Sequence, residues 1–158
     1  MKQDITFPPV LIDTREQKPF SFDGSVFKET EVRKLEYGDY CLAGLEHKLF
    51  IERKATVVEI ASNVVEQRFK NLIEKIRDYK WKFLICEFSY DQILMFPDGA
   101  GIPEFRKKQV KVSPAFILAY LSTLMVRYGI NVAMCGNKEA ANAVCIDILK
   151  RVNAARIS

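Results

Sequence analysis

The sequence predicts an α/β domain in which a central mixed β-sheet is flanked by helices. Short apolar runs of strand length dominate the first third, and later segments carry apolar residues at every third or fourth position, the spacing of amphipathic helices. The chain has 158 residues, of which 49% are hydrophobic, enough to bury one core. No repeat, low-complexity tract or shift in composition indicates a linker. We therefore expect one domain over residues 1–158.

Four strands are predicted before the first helix. The apolar run Val10–Asp13 ends at a polar turn, and three more strand-like segments follow at Thr30–Leu35, Asp39–Leu42 and Leu49–Arg53. Glycine-containing turns separate the last three segments, which predicts an antiparallel meander.

Helices and strands then alternate. Apolar residues from Val57 to Ile76 recur at helical spacing, and Thr56 is a candidate cap for that helix. Phe83–Cys86 is continuously apolar, as is typical of a strand covered on both faces. The segment Phe88–Val112 reads as a long connection, of the kind that is functional or mobile.

The C-terminal part predicts a helix, a strand and a last helix. Ser113-Pro114 supplies a cap and a first-turn proline, and Gly129 ends the apolar stripe that follows. Ile130–Cys135 reads as a strand, and an amphipathic helix opens at Gly136-Asn137 and continues through Val152.

Composition excludes several classes of protein. The four cysteines are far apart and only one histidine is present, which argues against a zinc site and for buried, reduced thiols. No apolar run is long enough for a signal peptide or a membrane span, so we expect a soluble, intracellular protein without membrane partners. The sequence contains neither a glycine-rich phosphate loop nor a nucleophile elbow, so it gives no sign of a small-molecule cofactor or of a metabolic enzyme. A net charge of +4 permits a nucleic-acid partner without requiring one.

Candidate chemistry lies in and beside the segment Leu49–Lys54. The strand period of two places Glu52 and Lys54 on one face and Arg53 on the other. A carboxylate beside an ammonium suits metal-assisted phosphodiester hydrolysis, in which Asp39 can supply a second carboxylate. Taken alone, the same pair is more simply explained as an ordinary surface ion pair.

Three motifs in register carry a resemblance to a known family. They are Ile12-Asp13-Thr14-Arg15-Glu16, then Gly38-Asp39, then Glu52-Arg53-Lys54. In this order they resemble the XPF-type structure-specific endonucleases of the PD-(D/E)xK superfamily, whose signature GDx(n)ERKxxxD follows a strand ending in D-x-R-E. The resemblance implies a restriction-endonuclease-like core and a DNA endonuclease that depends on Mg²⁺ or Mn²⁺.

The resemblance also implies roles for particular residues. The catalytic set would be Asp13, Glu16, Asp39, Glu52, Arg53 and Lys54, with Asp13, Asp39 and Glu52 as metal ligands. Candidate DNA contacts are Arg15, Arg68, Arg106, Lys107, Lys108 and Lys111, although the last four also fit a merely solvated basic loop. The family further implies a homodimer paired through Ser113–Val152.

Two departures from the family pattern support an alternative function. The last aspartate of the signature falls at Val58, and the nearest acid, Glu59, lies one residue further along. Many family members also carry a helix-hairpin-helix unit after the nuclease domain, whereas this chain ends at Ser158. The alternative is a nuclease-fold module that binds DNA or a partner with little or no catalytic activity.

Overall fold

A mixed six-stranded sheet lies between two layers of helices in the computed structural model, which describes residues 6–157. Residues 1–5 and 158 of the predicted domain lie outside the described part. The strands are β1 (Val10–Ile12), β2 (Thr30–Val32), β3 (Tyr40–Leu42), β4 (Leu49–Lys54), β5 (Trp81–Cys86) and β6 (Asn131–Met134). The helices are α1 (Val57–Val64), α2 (Gln67–Lys75), α3 (Tyr90–Met95), α4 (Glu104–Lys107), α5 (Pro114–Tyr128) and α6 (Lys138–Ile157).

The strand order is β2-β1-β3-β4-β5-β6, which corrects the predicted meander. β3 pairs antiparallel with both β1 and β4, but β2 lies parallel to β1 at the sheet edge and does not touch β3. A parallel pair needs a connection of a dozen or more residues. The loop between β1 and β2 is long enough, and it buries Phe20, Phe22 and Phe27 in the core. Adjacency in sequence therefore did not predict adjacency in the sheet.

The sheet is covered on both faces. Ala141, Cys145, Leu149 and Val152 of α6 pack on one face, and α1, α2, α3 and α5 cover the other. β5 lies between β4 and β6 in parallel register, so the prediction of a strand buried on both faces is confirmed.

The predicted helix from Val57 to Ile76 is wrong in one respect, because it is two helices. Thr56 caps α1 as predicted, and its hydroxyl accepts the Glu59 N–H at 3.3 Å. Glu66 is extended and interrupts the helix. Side chains five positions apart in one continuous helix point about 140° apart. The break lets Val64 and Phe69 both face the core while Val65 stays exposed.

The predicted long connection Phe88–Val112 contains α3 and α4. Ser89 and Gln92 form a reciprocal capping box at the start of α3, a signal that was present in the sequence. The prediction for α5 is confirmed, with Ser113 as its cap and Gly129 in the left-handed conformation at its end. Within residues 6–157 no helix is long and apolar enough to cross a membrane.

Candidate active site

A glycine brings the first carboxylate against the strand that carries the second. Gly38 has a φ of 86°, and a Cβ there would lie 2.9 Å from the carbonyl oxygen of Ile51 on β4. The next residue, Asp39, donates its backbone N–H to that same oxygen at 2.8 Å, and its Oδ2 accepts the Arg53 N–H at 2.8 Å. Any side chain at Gly38 would push the loop away from β4. The backbone therefore requires glycine here to place Asp39 next to Glu52.

Asp39 and Glu52 line a cleft between the sheet and the helices α1 and α2. The cleft has a volume of about 270 Å³. Its lining contains three acids, three cations, one amide and three other residues: Asp39, Glu52 and Glu66; Arg15, Lys54 and Arg68; Asn63; and Gly38, Phe69 and Leu72. The structure thus brings together Asp39, Glu52 and Lys54 from the predicted catalytic set, and Arg15 and Arg68 from the predicted DNA contacts.

The environment of this cleft disfavours the charged form of the Asp39 carboxyl. Burial, followed by the negative charge of Glu52, raises its pKa to about 8, and the N–H of Arg53 opposes this only in part. The ammonium of Lys54 lies 3.3 Å from Glu52 Oε1 and 4.9 Å from the centre of the Phe69 ring. Within the described residues Lys54 pairs with Glu52 and Arg15 with Asp13, so no cation forms an ion pair with Asp39. The cleft is therefore suited to a cation.

The residues present fit a hydrated Mg²⁺ or Mn²⁺ better than a metal enclosed by protein ligands. Within the described residues, no three His, Cys, Asp or Glu side chains lie together as a metal-binding group. Magnesium usually keeps several waters and needs only one or two carboxylates, which Asp39 and Glu52 can provide. Asn63 Oδ1, also on the cleft, is buried and accepts no hydrogen bond within residues 6–157. Such an orphaned acceptor suits a metal-bound water.

Asp13 lies just outside the cleft and its carboxylate is already occupied. Oδ1 accepts the N–H of Leu35 at 2.8 Å, and Oδ2 accepts Nε of Arg15 at 2.6 Å. Burial works against the charged form, but the hydrogen bonds from Arg15 and Leu35 prevail and hold the pKa of Asp13 below its ordinary value. This placement favours a positioning role for Asp13, which aims Arg15 at the cleft, over direct ligation of a metal.

Glu16 and Arg53 lie on the opposite face of β4, away from Glu52 and Lys54. The Arg53 guanidinium contacts Glu16 at 3.0 Å, pairs with Glu87 and stacks 4.3 Å from the centre of the Phe20 ring. Tyr40 adds a hydrogen bond to Glu16 at 2.6 Å. The structure therefore separates two predicted catalytic residues from the cleft and joins them in a buried ionic network. The sequence analysis did not include Glu87 in this network, although the sequence shows an acid directly after an apolar strand.

No carboxylate occupies the place of the signature's last aspartate. Val58 faces a separate small cavity, and the Glu59 side chain accepts the Ala55 N–H at 3.1 Å as part of the α1 cap. Asn63 and Glu66 were missed as cleft residues, because only the break between α1 and α2 turns them toward it. Asn63 Nδ2 donates to Glu66 Oε2 at 3.1 Å.

The remaining predicted DNA contacts lie on and just after α4, not in the cleft. Arg106, Lys108 and Lys111 are exposed. Lys107 is instead held by Asp98 at 2.9 Å and by Glu104 at 2.6 Å. The four cations predicted as one group therefore divide into three that face solvent and one that anchors the helix.

Comparison with known proteins places this geometry in a family. The model of the ERCC4 domain matches residues 12–146. A search of curated proteins finds no match. The chain is similar in structure to XPF from Aeropyrum pernix, with a TM-score of 0.65, 18% identity, and coverage of 93% of this chain and 68% of that one. XPF from Aeropyrum pernix in complex with DNA matches with a TM-score of 0.63 and 19% identity, over 94% of this chain and 66% of that one.

These matches confirm the predicted α/β fold of the restriction-endonuclease type, since the mixed sheet flanked by helices is shared over nearly the whole chain. They confirm the predicted resemblance as well, because the matched region, residues 12–146, contains all three sequence motifs. The chain belongs to the ERCC4 domain family.

Proposed function

We propose that this protein is a Mg²⁺- or Mn²⁺-dependent DNA endonuclease that hydrolyses phosphodiester bonds in branched or otherwise structured DNA. The observation that carries the proposal is the cleft that Asp39, Glu52 and Lys54 line together with Arg15 and Arg68. Membership of the ERCC4 domain family supports it.

The side chains of the cleft have distinct roles in this proposal. Asp39 and Glu52 would hold the cation, which polarises the phosphate and lowers the pKa of a bound water. Burial and Glu52 raise the pKa of Asp39, so cation binding there would be coupled to loss of the proton on its carboxyl. Lys54 lies beside Glu52, where its ammonium can orient the attacking water and stabilise charge on the phosphate. Asn63 Oδ1, which accepts no hydrogen bond within residues 6–157, would accept one from water at this site.

DNA is the proposed partner, held mainly through its phosphates. Arg15 and Arg68 line the cleft, and a solved structure that this chain resembles contains DNA. If the α4 segment also touches phosphates, neutralising Arg106, Lys107, Lys108 and Lys111 together will flatten the dependence of log affinity on log salt, which is about −0.9 per contacted phosphate. An unchanged slope would assign these cations to solvent.

We also propose that the protein pairs as a homodimer through the region 113–152. On α5, Met125 and Val126 are exposed, Val126 to 88%. Exposed apolar side chains on a long helix suit a self-complementary interface. Sedimentation at micromolar concentration tests this, and a monomer at all concentrations would reject the pairing.

The decisive experiment measures cleavage of labelled flap, fork, duplex and single-stranded DNA with Mg²⁺, with Mn²⁺ and with EDTA. We expect metal-dependent cutting by the wild type and none by Glu52→Gln, which removes one hard oxygen charge from the cleft. Glu29→Gln, at an exposed acid that does not line the cleft, is the control and should cut normally.

The same experiment separates the proposal from the alternative of a non-catalytic module. The absence of an acid at Val58 motivates that alternative. DNA binding without cleavage in any metal, by a folded protein, would favour the binding module and reject the endonuclease.

A further inference from the structure

α4 presents an aromatic ring to solvent. Phe105 is 74% exposed, while Ile102, Val110 and Val112 around it pack against the core. The ring therefore adds nothing to the packing that holds this segment in place. One exposed apolar side chain is ordinary on a protein surface, so the case for a ligand depends on the charges near Phe105.

Basic residues neighbour Phe105 along the chain. The Arg106 guanidinium lies 5.6 Å from the centre of the Phe105 ring. Lys108 follows Phe105 by three positions, which places the two on the same side of the helical turn. Lys111 lies just beyond and is also exposed. Within residues 6–157, Arg106, Lys108 and Lys111 form no ion pair with an acid, so their charges remain available.

Lys107 fixes the orientation of this group. Its side chain is only 21% exposed and is held between Asp98 and Glu104, at 2.9 and 2.6 Å. It offsets one of these two negative charges and ties α4 to the loop that precedes it. The four basic residues of this segment still outnumber Asp98 and Glu104 by two charges (4 − 2), so the segment as a whole favours a polyanion.

The ion pair between Lys107 and Asp98 also connects α4 to β4. Asp98 and the following Gly99 and Ala100 line a small cavity together with residues 55–58, and those residues directly follow Lys54 of β4. The Phe105 group is therefore attached to the end of the strand that carries Glu52 and Lys54. Lys54 lines the cleft and the next residue, Ala55, lines this cavity, so the cleft and the cavity neighbour each other at the end of β4.

We propose that Phe105, with Arg106, Lys108 and Lys111, is a stacking site for an unpaired base of a DNA strand adjacent to the cleft. This rests on the proposed function, since it takes DNA as the ligand. An aromatic face stacks on any base, and flanking cations hold the phosphates on either side. Bases inside a duplex have no free face, so the site selects unpaired over paired DNA. The unbalanced positive charge around the ring favours a polyanion over an apolar protein surface.

The test measures binding of the full chain in EDTA, where no cleavage can occur. Fluorescence anisotropy follows a labelled oligothymidine and a duplex of the same length. We expect Phe105→Ala to weaken oligothymidine binding about tenfold, as for loss of one stacked base, and to leave duplex binding unchanged. Phe105→Trp should restore it. Tyr90→Ala, at an exposed aromatic residue followed by the acid Asp91, is the matched control and should bind like wild type.

Three results would overturn the stacking site. They are equal oligothymidine binding by wild type and Phe105→Ala, an equal loss for duplex and single strand, and a wild type that binds no single strand. The outcome is separate from that of the cleavage experiment. A protein that binds single strands through Phe105 but never cuts would keep this inference and reject the endonuclease.

Discussion

Replacing Asp39 by asparagine should stabilise the metal-free protein at alkaline pH. The pKa of Asp39 is raised from 3.8 to about 8 in the folded state, mainly by burial and then by Glu52. A raised folded-state pKa means that the stabilising contribution is complete below pH 3.8 and is lost as the pH rises through 8. The charged carboxylate therefore costs stability under the conditions in which it would bind a metal. Asparagine removes that charge but keeps an oxygen to accept the Arg53 N–H.

The size of the effect follows from the pH interval. Between pH 5 and pH 8 the interval is about three units, each worth about 1.4 kcal/mol, which sets a ceiling of about 4 kcal/mol. Asp39 is partly exposed to the cleft, so water screens its charge. We therefore expect Asp39→Asn to raise the free energy of unfolding at pH 8 by about half of this ceiling, ~2 kcal/mol. For a domain of this size that is roughly 4–8 °C in Tm.

The assay is thermal unfolding of wild type and Asp39→Asn in EDTA at pH 5 and pH 8. The increase in Tm of the variant over wild type should be larger at pH 8 than at pH 5. Added Mg²⁺ should raise the Tm of the wild type only. Asp23→Asn, at an exposed aspartate, controls for the substitution itself. A variant no more stable than wild type at pH 8, or one with the same gain at both pH values, would refute the reasoning.

Three further predictions concern residues that support the cleft, Gly38 and Arg53, and one that lines it, Lys54. Gly38→Ala should destabilise the fold by about 2 kcal/mol more than Gly24→Ala in urea unfolding, because both positions have positive φ but only the Cβ at Gly38 collides with β4. Equal losses would show that the approach to β4 is relaxed. Arg53→Met should cost about 3 kcal/mol, since it leaves two buried glutamates without their cation, whereas Arg33→Met, at an exposed arginine, should cost under about 1 kcal/mol. Similar denaturation midpoints for these two would contradict the buried network. Lys54→Ala should lower kcat at least ~10²-fold with metal affinity little changed in calorimetry, and a loss confined to metal affinity would give Lys54 a different role.

Local sequence patterns predicted most elements correctly. Alternation along Leu49–Lys54 separated the face of Glu52 and Lys54 from that of Arg53, as the structure has it. Ser113 and Gly129 marked the ends of α5, because capping and a left-handed terminus depend only on nearby residues. Thr56 marked the start of α1 for the same reason.

Features that depend on distant contacts were not predictable in this way. The position of β2 beside β1 depends on how a long loop packs its phenylalanines into the core. The break at Glu66 depends on two helices that bury Val64 and Phe69 against the same sheet. Neither requirement leaves a clear trace in the neighbouring sequence.

The sequence by itself determined the fold class, the family resemblance and the strand pair that presents Asp39, Glu52 and Lys54, since periodicity and motif spacing are local properties. Only the tertiary structure decided which predicted residues share a site. Asp13 and Glu16 lie near the same sheet, but their oxygens accept protein donors from Leu35, Arg15, Tyr40 and Arg53. Hydrogen-bond partners are chosen by contacts across the fold, and a carboxylate that is already satisfied there has less capacity left for a cation.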